Sequence, residues 1–243
     1  GNKKLSKRDP ESSLAMYRAK GYLPEALLNY LALLGWSMGN DVEFFSPKEL
    51  TQAFTLERVN PNPARFDLKK CTSINGDWIR HIDPADLMDR LIPFLETLGV
   101  TTTPISAGER QRLAQVVPII QERLDTLDAA PELISFLFAP AERVSIDPEL
   151  WTDRSEQVLD VAGRELEVLA QWDSDSIQTV LRTSLVEGLA LKPKLAFGPV
   201  RTAICGRKIS PPLFESMEIL GKEESLLRIN RAHVLASSRP LSD

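Results

Sequence analysis

Apolar positions recur along this chain with the spacing of helices. From Leu23 they fall at Ala26, Leu27, Tyr30, Leu31 and Leu34, a 3.6-residue period with Pro24 in the first turn and Gly35 closing the run. Phe45-Ser46-Pro47-Lys48-Glu49-Leu50 reads as a helix start: Ser46 caps, Glu49 reaches back, Pro47 takes the first helical position and Phe45 staples onto Leu50. An amphipathic helix is expected over 86–98, stopped by Gly99. Ser106 with Glu109 repeats the capping spacing and opens a helix to about Val117, where Pro118 predicts a kink or a fresh start. Further helices are expected over 155–172, 176–189, 198–205, 211–220 and 222–235, with Gly221 as the joint between the last two. Alternating runs of useful strand length are missing, so the pattern predicts an all-α fold. Pro and polar residues around Asp83-Pro84 and across 139–148 suggest boundaries, which divide the chain into 1–83, 84–145 and 146–243.

Composition narrows the class. Of 243 residues, 43% are apolar and 26% charged, which suits a packed globular chain. No apolar run approaches the roughly 18 residues of a membrane helix. The opening Gly1-Asn2-Lys3-Lys4 has no apolar segment behind its charges, so it does not read as a secretory signal, and the cytoplasm is the expected compartment. Cys71 and Cys205 support neither a disulfide framework nor a Cys-rich metal site. His81 and His233 stand far apart without ligands at metal spacing, so no metal is expected. Trp36, Trp78, Trp151 and Trp172 lie in or beside apolar helical patterns and read as core rather than as stacking platforms.

A net charge of −5 argues against wholesale polyanion binding, yet the charge is unevenly placed. No acid lies between Ala190 and Phe214, while Lys192, Lys194, Arg201, Arg207 and Lys208 do. A second acid-free cluster comprises Lys3, Lys4, Lys7 and Arg8.

Several blocks carry a family resemblance. Lys4-Leu5-Ser6-Lys7-Arg8 resembles the mobile lysine loop of class I aminoacyl-tRNA synthetases, in the form typical of glutamyl enzymes. The segment 21–37, then Asn62-Pro63-Ala64-Arg65-Phe66-Asp67 with Leu68-Lys69-Lys70, and Ile74-Asn75-Gly76 are similar to that family's stem-contact region. Lys192-Pro193-Lys194, Pro199-Val200-Arg201-Thr202-Ala203, Ser210-Pro211-Pro212-Leu213-Phe214 and Leu220-Gly221-Lys222 resemble its anticodon-binding region, and all the blocks follow the family's order. By this resemblance the chain is identified as a member of the bacterial-type glutamyl-tRNA synthetase family, a C-terminal fragment beginning just before the loop.

The resemblance implies a helical stem-contact region over 1–83 and two helical anticodon-binding domains over 84–145 and 146–243. It implies a parent enzyme that activates L-glutamate with ATP and Mg2+ and transfers it to the 3′ end of tRNA(Glu), with tRNA(Gln) a further candidate. The fragment is expected to bind no cofactor and to be inactive alone. It implies catalytic, ATP-binding roles for Lys4 and Lys7, with Ser6 shaping and Arg8 anchoring the loop, because cations must meet the charge that develops on the α-phosphate. Anticodon reading falls to Arg201, Ser210, Pro211 and Leu213: a planar donor fork, a hydroxyl at the mouth of a helix opened by Pro211, and an apolar face for a base. Arg123 is the best positional match for reading the third base; Arg110 and Arg112 on the preceding helix are alternatives, as is a plain pairing of Arg123 with Glu122 or Asp125. The family expectation is a monomer. The rival outside the enzymes is a helical interaction module without anticodon reading, and its support is the acidic net charge. Within the enzymes, a glutaminyl synthetase would carry β-barrel anticodon domains, against the helical period.

Overall fold

The computed structural model describes residues 13–61 and 65–238, and all regular structure among them is helical. The helices gather into two compact units. The first comprises Gly1–Thr97 with Ile120–Pro131, the second Leu98–Ile119 with Glu132–Asp243. The segment 84–145 therefore contributes to both: residues 84–97 and 120–131 to the first, 98–119 and 132–145 to the second.

The first unit contains α1 (Leu14–Ala19), α2 (Pro24–Leu33), α3 (Pro47–Ala53), α4 (Leu68–His81) and α5 (Pro84–Thr97). The capping box that opens α3 is complete: Glu49 N donates to Ser46 Oγ at 3.2 Å and Ser46 N donates to Glu49 Oε2 at 2.7 Å. Asp67 opens α4 by accepting from the backbone N–H of Lys69 and Lys70. Packing of α2 on α4 forms the centre of this unit, where Leu23, Ala26, Tyr30, Ile74, Trp78 and Ile79 are buried. Buried amides there are satisfied rather than stranded. Trp78 Nε1 donates to Asn29 Oδ1 at 3.0 Å, and Asn29 Nδ2 donates to the Glu43 carbonyl at 2.9 Å. Asn75 accepts from Leu23 N at 2.7 Å and donates to the Asp125 carbonyl at 2.6 Å. Residues 120–131 are held further by Gln121 Nε2, which donates to the carbonyls of Ile79 and Ile82, both at 2.8 Å. Leu127 N donates to the Gly21 carbonyl at 3.2 Å. Gly21 has φ +74°, and a Cβ there would stand 2.4 Å from Leu127 Cβ, so only glycine fits this approach.

The chain then forms α6 (Ala107–Ile120), α7 (Ala130–Ile134), α8 (Ser155–Glu167), α9 (Ser174–Leu181), α10 (Pro193–Cys205), α11 (Leu213–Leu220) and α12 (Lys222–Ser237), which make up most of the second unit. Its core lies where α8 packs on α12, with Val158, Leu159, Ala162, Leu166, Ile229 and Ala232 buried. Arg228 is 1% exposed and fully committed to that core. It donates from Nε to Glu224 Oε1 at 2.8 Å, from Nη1 to the Ile204 carbonyl at 2.7 Å and from Nη2 to the Ala139 carbonyl at 2.6 Å.

Several elements depart from the expected boundaries. α10 opens at Pro193 rather than Gly198, with Pro193 at its first helical position. α6 runs through Pro118 to Ile120, because Pro118 and Ala114, whose carbonyl it frees, are both exposed and water can serve that carbonyl. α8 stops at Glu167 instead of reaching Trp172. α9 passes into a π-turn over Arg182–Glu187 and ends before Ala190, which has φ +51°. α11 opens at Leu213 rather than Pro211, since Pro212 disfavours helical backbone in the residue before it.

Candidate nucleic-acid interface

The acid-free stretch of the second unit folds into α10, a tight loop and the first turn of α11. α10 buries Ala196, Val200, Ala203 and Ile204. Lys194, Phe197, Gly198 and Arg201, at helical spacing, form the stripe it leaves fully or partly open to solvent. Gly206 ends the helix at φ +73°, and a Cβ there would lie 2.2 Å from the Ser145 carbonyl oxygen, so the turn needs glycine both for conformation and for space. The Cys205 thiol donates to the carbonyls of Arg201 and Arg207, and Arg207 Nη1 donates to the Glu132 carbonyl at 2.6 Å. This loop is therefore held from both ends. Lys208 is exposed in this loop, and Lys192 and Lys194 are exposed at the opposite, N-terminal end of α10.

Arg201 Nη1 donates to Ser210 Oγ at 2.5 Å and to the Pro211 carbonyl at 3.1 Å. Its Nε and Nη2 make no hydrogen bond among the described residues, so one edge of the planar fork is anchored and the other is available. Three of the four residues assigned to this patch from the sequence, Arg201, Ser210 and Pro211, thus come together. Ser210 is buried three residues ahead of α11, and its hydroxyl serves Arg201 and Pro211 rather than standing at a helix mouth. Leu213 is 3% exposed, and with Met217 and Leu220 on the same helical face it packs into the core. A pair that the sequence reading passed over stands beside Arg201: Phe197 and Phe214 meet edge to face, with centroids 5.4 Å apart and planes at 90°. The i, i+4 spacing of Phe197 and Arg201 was the available signal.

Arg123 lies in the first unit, exposed at the end of a single 3₁₀ turn, Gln121–Arg123. The carboxylate of Asp125 faces Arg80 at 3.8 Å. Of the two alternatives, Arg110 is exposed on α6, whereas Arg112 donates to the Leu137 carbonyl at 2.8 Å. Lys4, Ser6, Lys7 and Arg8 lie outside the described residues, as do Asn62, Pro63 and Ala64. Trp36, Trp78 and Trp151 are buried, and Trp172 is partly buried with Nε1 donating to the Met217 carbonyl at 3.0 Å, so the tryptophans are core. Burial pushes the Cys71 thiol up to about 11, which leaves it no nucleophilic character near neutrality. No helix of the described residues is long and apolar enough to cross a membrane.

A family model described as "Anticodon binding domain" matches residues 86–233, and one described as "tRNA synthetases class I (E and Q), catalytic domain" matches residues 1–73. A chain whose described residues form only helices, with these two matches, falls in the class of anticodon-binding modules joined to class I catalytic sequence. Glutamate–tRNA ligase of Kocuria rhizophila is 48% identical over 232 residues, which is 94% of this chain and 46% of that protein. The ligase of Leifsonia xyli is 49% identical over 236 residues, 95% of this chain and 48% of its own length. The chain belongs to the anticodon binding domain family, in the form carried by bacterial glutamate–tRNA ligases, and spans about half the length of the curated relatives it matches. In fold it is similar to the solved structure of a glutamate tRNA ligase from Elizabethkingia meningosepticum in complex with its amino acid. That likeness has a TM-score of 0.81 at 23% identity and covers 96% of this chain and 49% of the other.

Proposed function

We propose that this chain is the tRNA-gripping, anticodon-reading part of a glutamate–tRNA ligase. The parent activates L-glutamate with ATP and transfers it to the 3′ end of tRNA(Glu). The observation that carries the reading is Arg201, pinned through Nη1 to Ser210 and Pro211 with its other donors open, in a stretch free of carboxylates. Unpaired anticodon bases present their edges for hydrogen bonding, and an arginine fixed along one side addresses such an edge without losing much side-chain freedom. Phosphates of the same strand meet Lys192, Lys194 and Lys208.

Within this reading, 1–83 contacts the tRNA stem, 84–145 and 146–243 bind the anticodon, and Arg123 takes the third base. Ser210 and Pro211 hold Arg201 rather than contacting bases themselves. Lys4 and Lys7, with Ser6 and Arg8, serve the ATP loop of the parent, where Mg2+ accompanies the nucleotide; the 243 residues by themselves are inactive. The parent works as a monomer in the cytoplasm, with tRNA(Gln) as a second substrate to be compared.

The test is equilibrium binding of the chain to glutamate tRNA beside a copy with one anticodon base changed, at near-physiological salt. Wild type should prefer the unmodified anticodon. Arg201→Ala should lose about 1–3 kcal/mol on the cognate tRNA and less on the changed one. Equal losses on both would make Arg201 a plain phosphate contact, and binding indifferent to the anticodon would favour a module without reading. Run with tRNA(Glu) and tRNA(Gln), the same assay assigns Arg123: its loss must narrow the difference between them.

A further inference from the structure

The proposed function leaves one part of α10 without a role. Phe197 lies one helical turn before Arg201, so the two side chains share a face, and both are partly exposed. Phe214 of α11 braces Phe197 edge to face at 5.4 Å. Between Phe197 and Arg201, Gly198 leaves the surface bare: a Cβ there would find no heavy atom within 4 Å. Lys194 continues the same stripe one turn earlier, and no carboxylate lies anywhere in 190–214. A braced ring, an open strip of backbone and a half-engaged guanidinium thus follow one another on one helix face.

An unpaired nucleobase has the matching form. Its faces are flat and stack on aromatic rings, while its edge carries the hydrogen-bonding groups that a guanidinium reads. An apolar protein partner would meet the ring equally well but has no use for the surrounding cations, whereas a polyanion does. We infer that Phe197, braced by Phe214, is the platform on which an unpaired base stacks while Arg201 engages its edge. The inference rests on the anticodon reading proposed above and names the residue that supplies the apolar contact now that Leu213 is in the core.

The experiment measures binding of the full chain to glutamate tRNA at near-physiological salt for wild type, Phe197→Leu, Phe197→Tyr and Arg201→Ala, with a thermal melt of each. Phe197→Leu keeps an apolar side chain of similar bulk and removes only the ring. It should bind at least about fivefold more weakly at unchanged melting temperature, while Phe197→Tyr stays within about twofold of wild type. The penalty should also vanish on a tRNA made abasic at one anticodon position. If Phe197→Leu binds like wild type while Arg201→Ala binds weakly, the platform is wrong and the anticodon reading stands. Phe197→Tyr failing as Phe197→Leu does would also sink the platform. If neither Phe197→Leu nor Arg201→Ala changes binding, and the anticodon sequence makes no difference, the underlying reading fails.

Discussion

Two arginines of the second unit show how the same side chain takes opposite tasks. Arg228 is 1% exposed and engages through Nε, Nη1 and Nη2, while Arg201 is half-open and engages through Nη1. Burial, with a smaller push from the like charge of Arg112, pulls the Arg228 guanidinium below its ordinary value, and the Glu224 carboxylate opposes this. Truncation would strand that carboxylate and two carbonyls. Arg228→Ala should therefore lower the unfolding free energy by about 3–5 kcal/mol in denaturant titration. A loss below about 1 kcal/mol would mean that water replaces the guanidinium without cost. Charge in the sequence gives no sign of this difference, because which arginine is enclosed depends on carbonyls 24 and 89 residues away. The same blindness extends to the burial of Leu213: a leucine at the start of a helix reads alike whether it faces solvent or core.

Helix starts were the most legible elements, since a cap is decided by three or four neighbouring residues. Both capping boxes read from the sequence, Ser46 with Glu49 and Ser106 with Glu109, are closed in the structure. Glu109 goes further and also accepts from Thr102 N at 3.0 Å and Thr102 Oγ1 at 2.6 Å, tying the preceding loop to α6. Partial burial pushes its carboxyl up, but these hydrogen bonds from Ser106 and Thr102 outweigh it and hold the group down at about 2. A carboxyl depressed in the folded state stabilises above its unfolded value and ceases to as pH falls through the folded one. Glu109→Gln should melt below wild type at neutral pH, and the gap should close as pH drops from about 4.5 towards 2. A gap that stays constant over that range would remove the carboxylate from the account. What the pattern did not reveal is as instructive. α4 carries buried Cys71, Ile74, Asn75, Trp78 and Ile79 at helical spacing, but two of its inward positions are a cysteine and an asparagine, which dilute the apolar signal. The π-turn after α9 leaves no trace in the sequence periodicity, because one extra residue shifts the face only after the fact.

At the scale of the whole molecule, the fold class and the family were legible, the first from unbroken helical periodicity and the second from ordered blocks such as Lys192-Pro193-Lys194 and Leu220-Gly221-Lys222. The arrangement into two units was not, since Ile120–Pro131 returns to the first unit through long-range bonds that no local pattern encodes. The catalytic-domain model matches residues 1–73 alone. On the reading proposed above, the 243 residues should leave ATP–pyrophosphate exchange with glutamate at background while retaining tRNA binding. Exchange above background that responds to mutation of Lys4 or Lys7 would refute that division of labour.

The return of Ile120–Pro131 has a genetic consequence. Gly21, Asn75 and Ile79 meet partners that are encoded after the whole of α6. A single recombination event between diverged relatives, with its breakpoint anywhere from 82 to 119, would keep the backbone carbonyls of these bonds but draw the side chains packed between α4 and 121–123 from different parents. Viable chimaeras should therefore have breakpoints clustered after residue 131, and the history of such genes should show exchange there and little of it within α5 or α6.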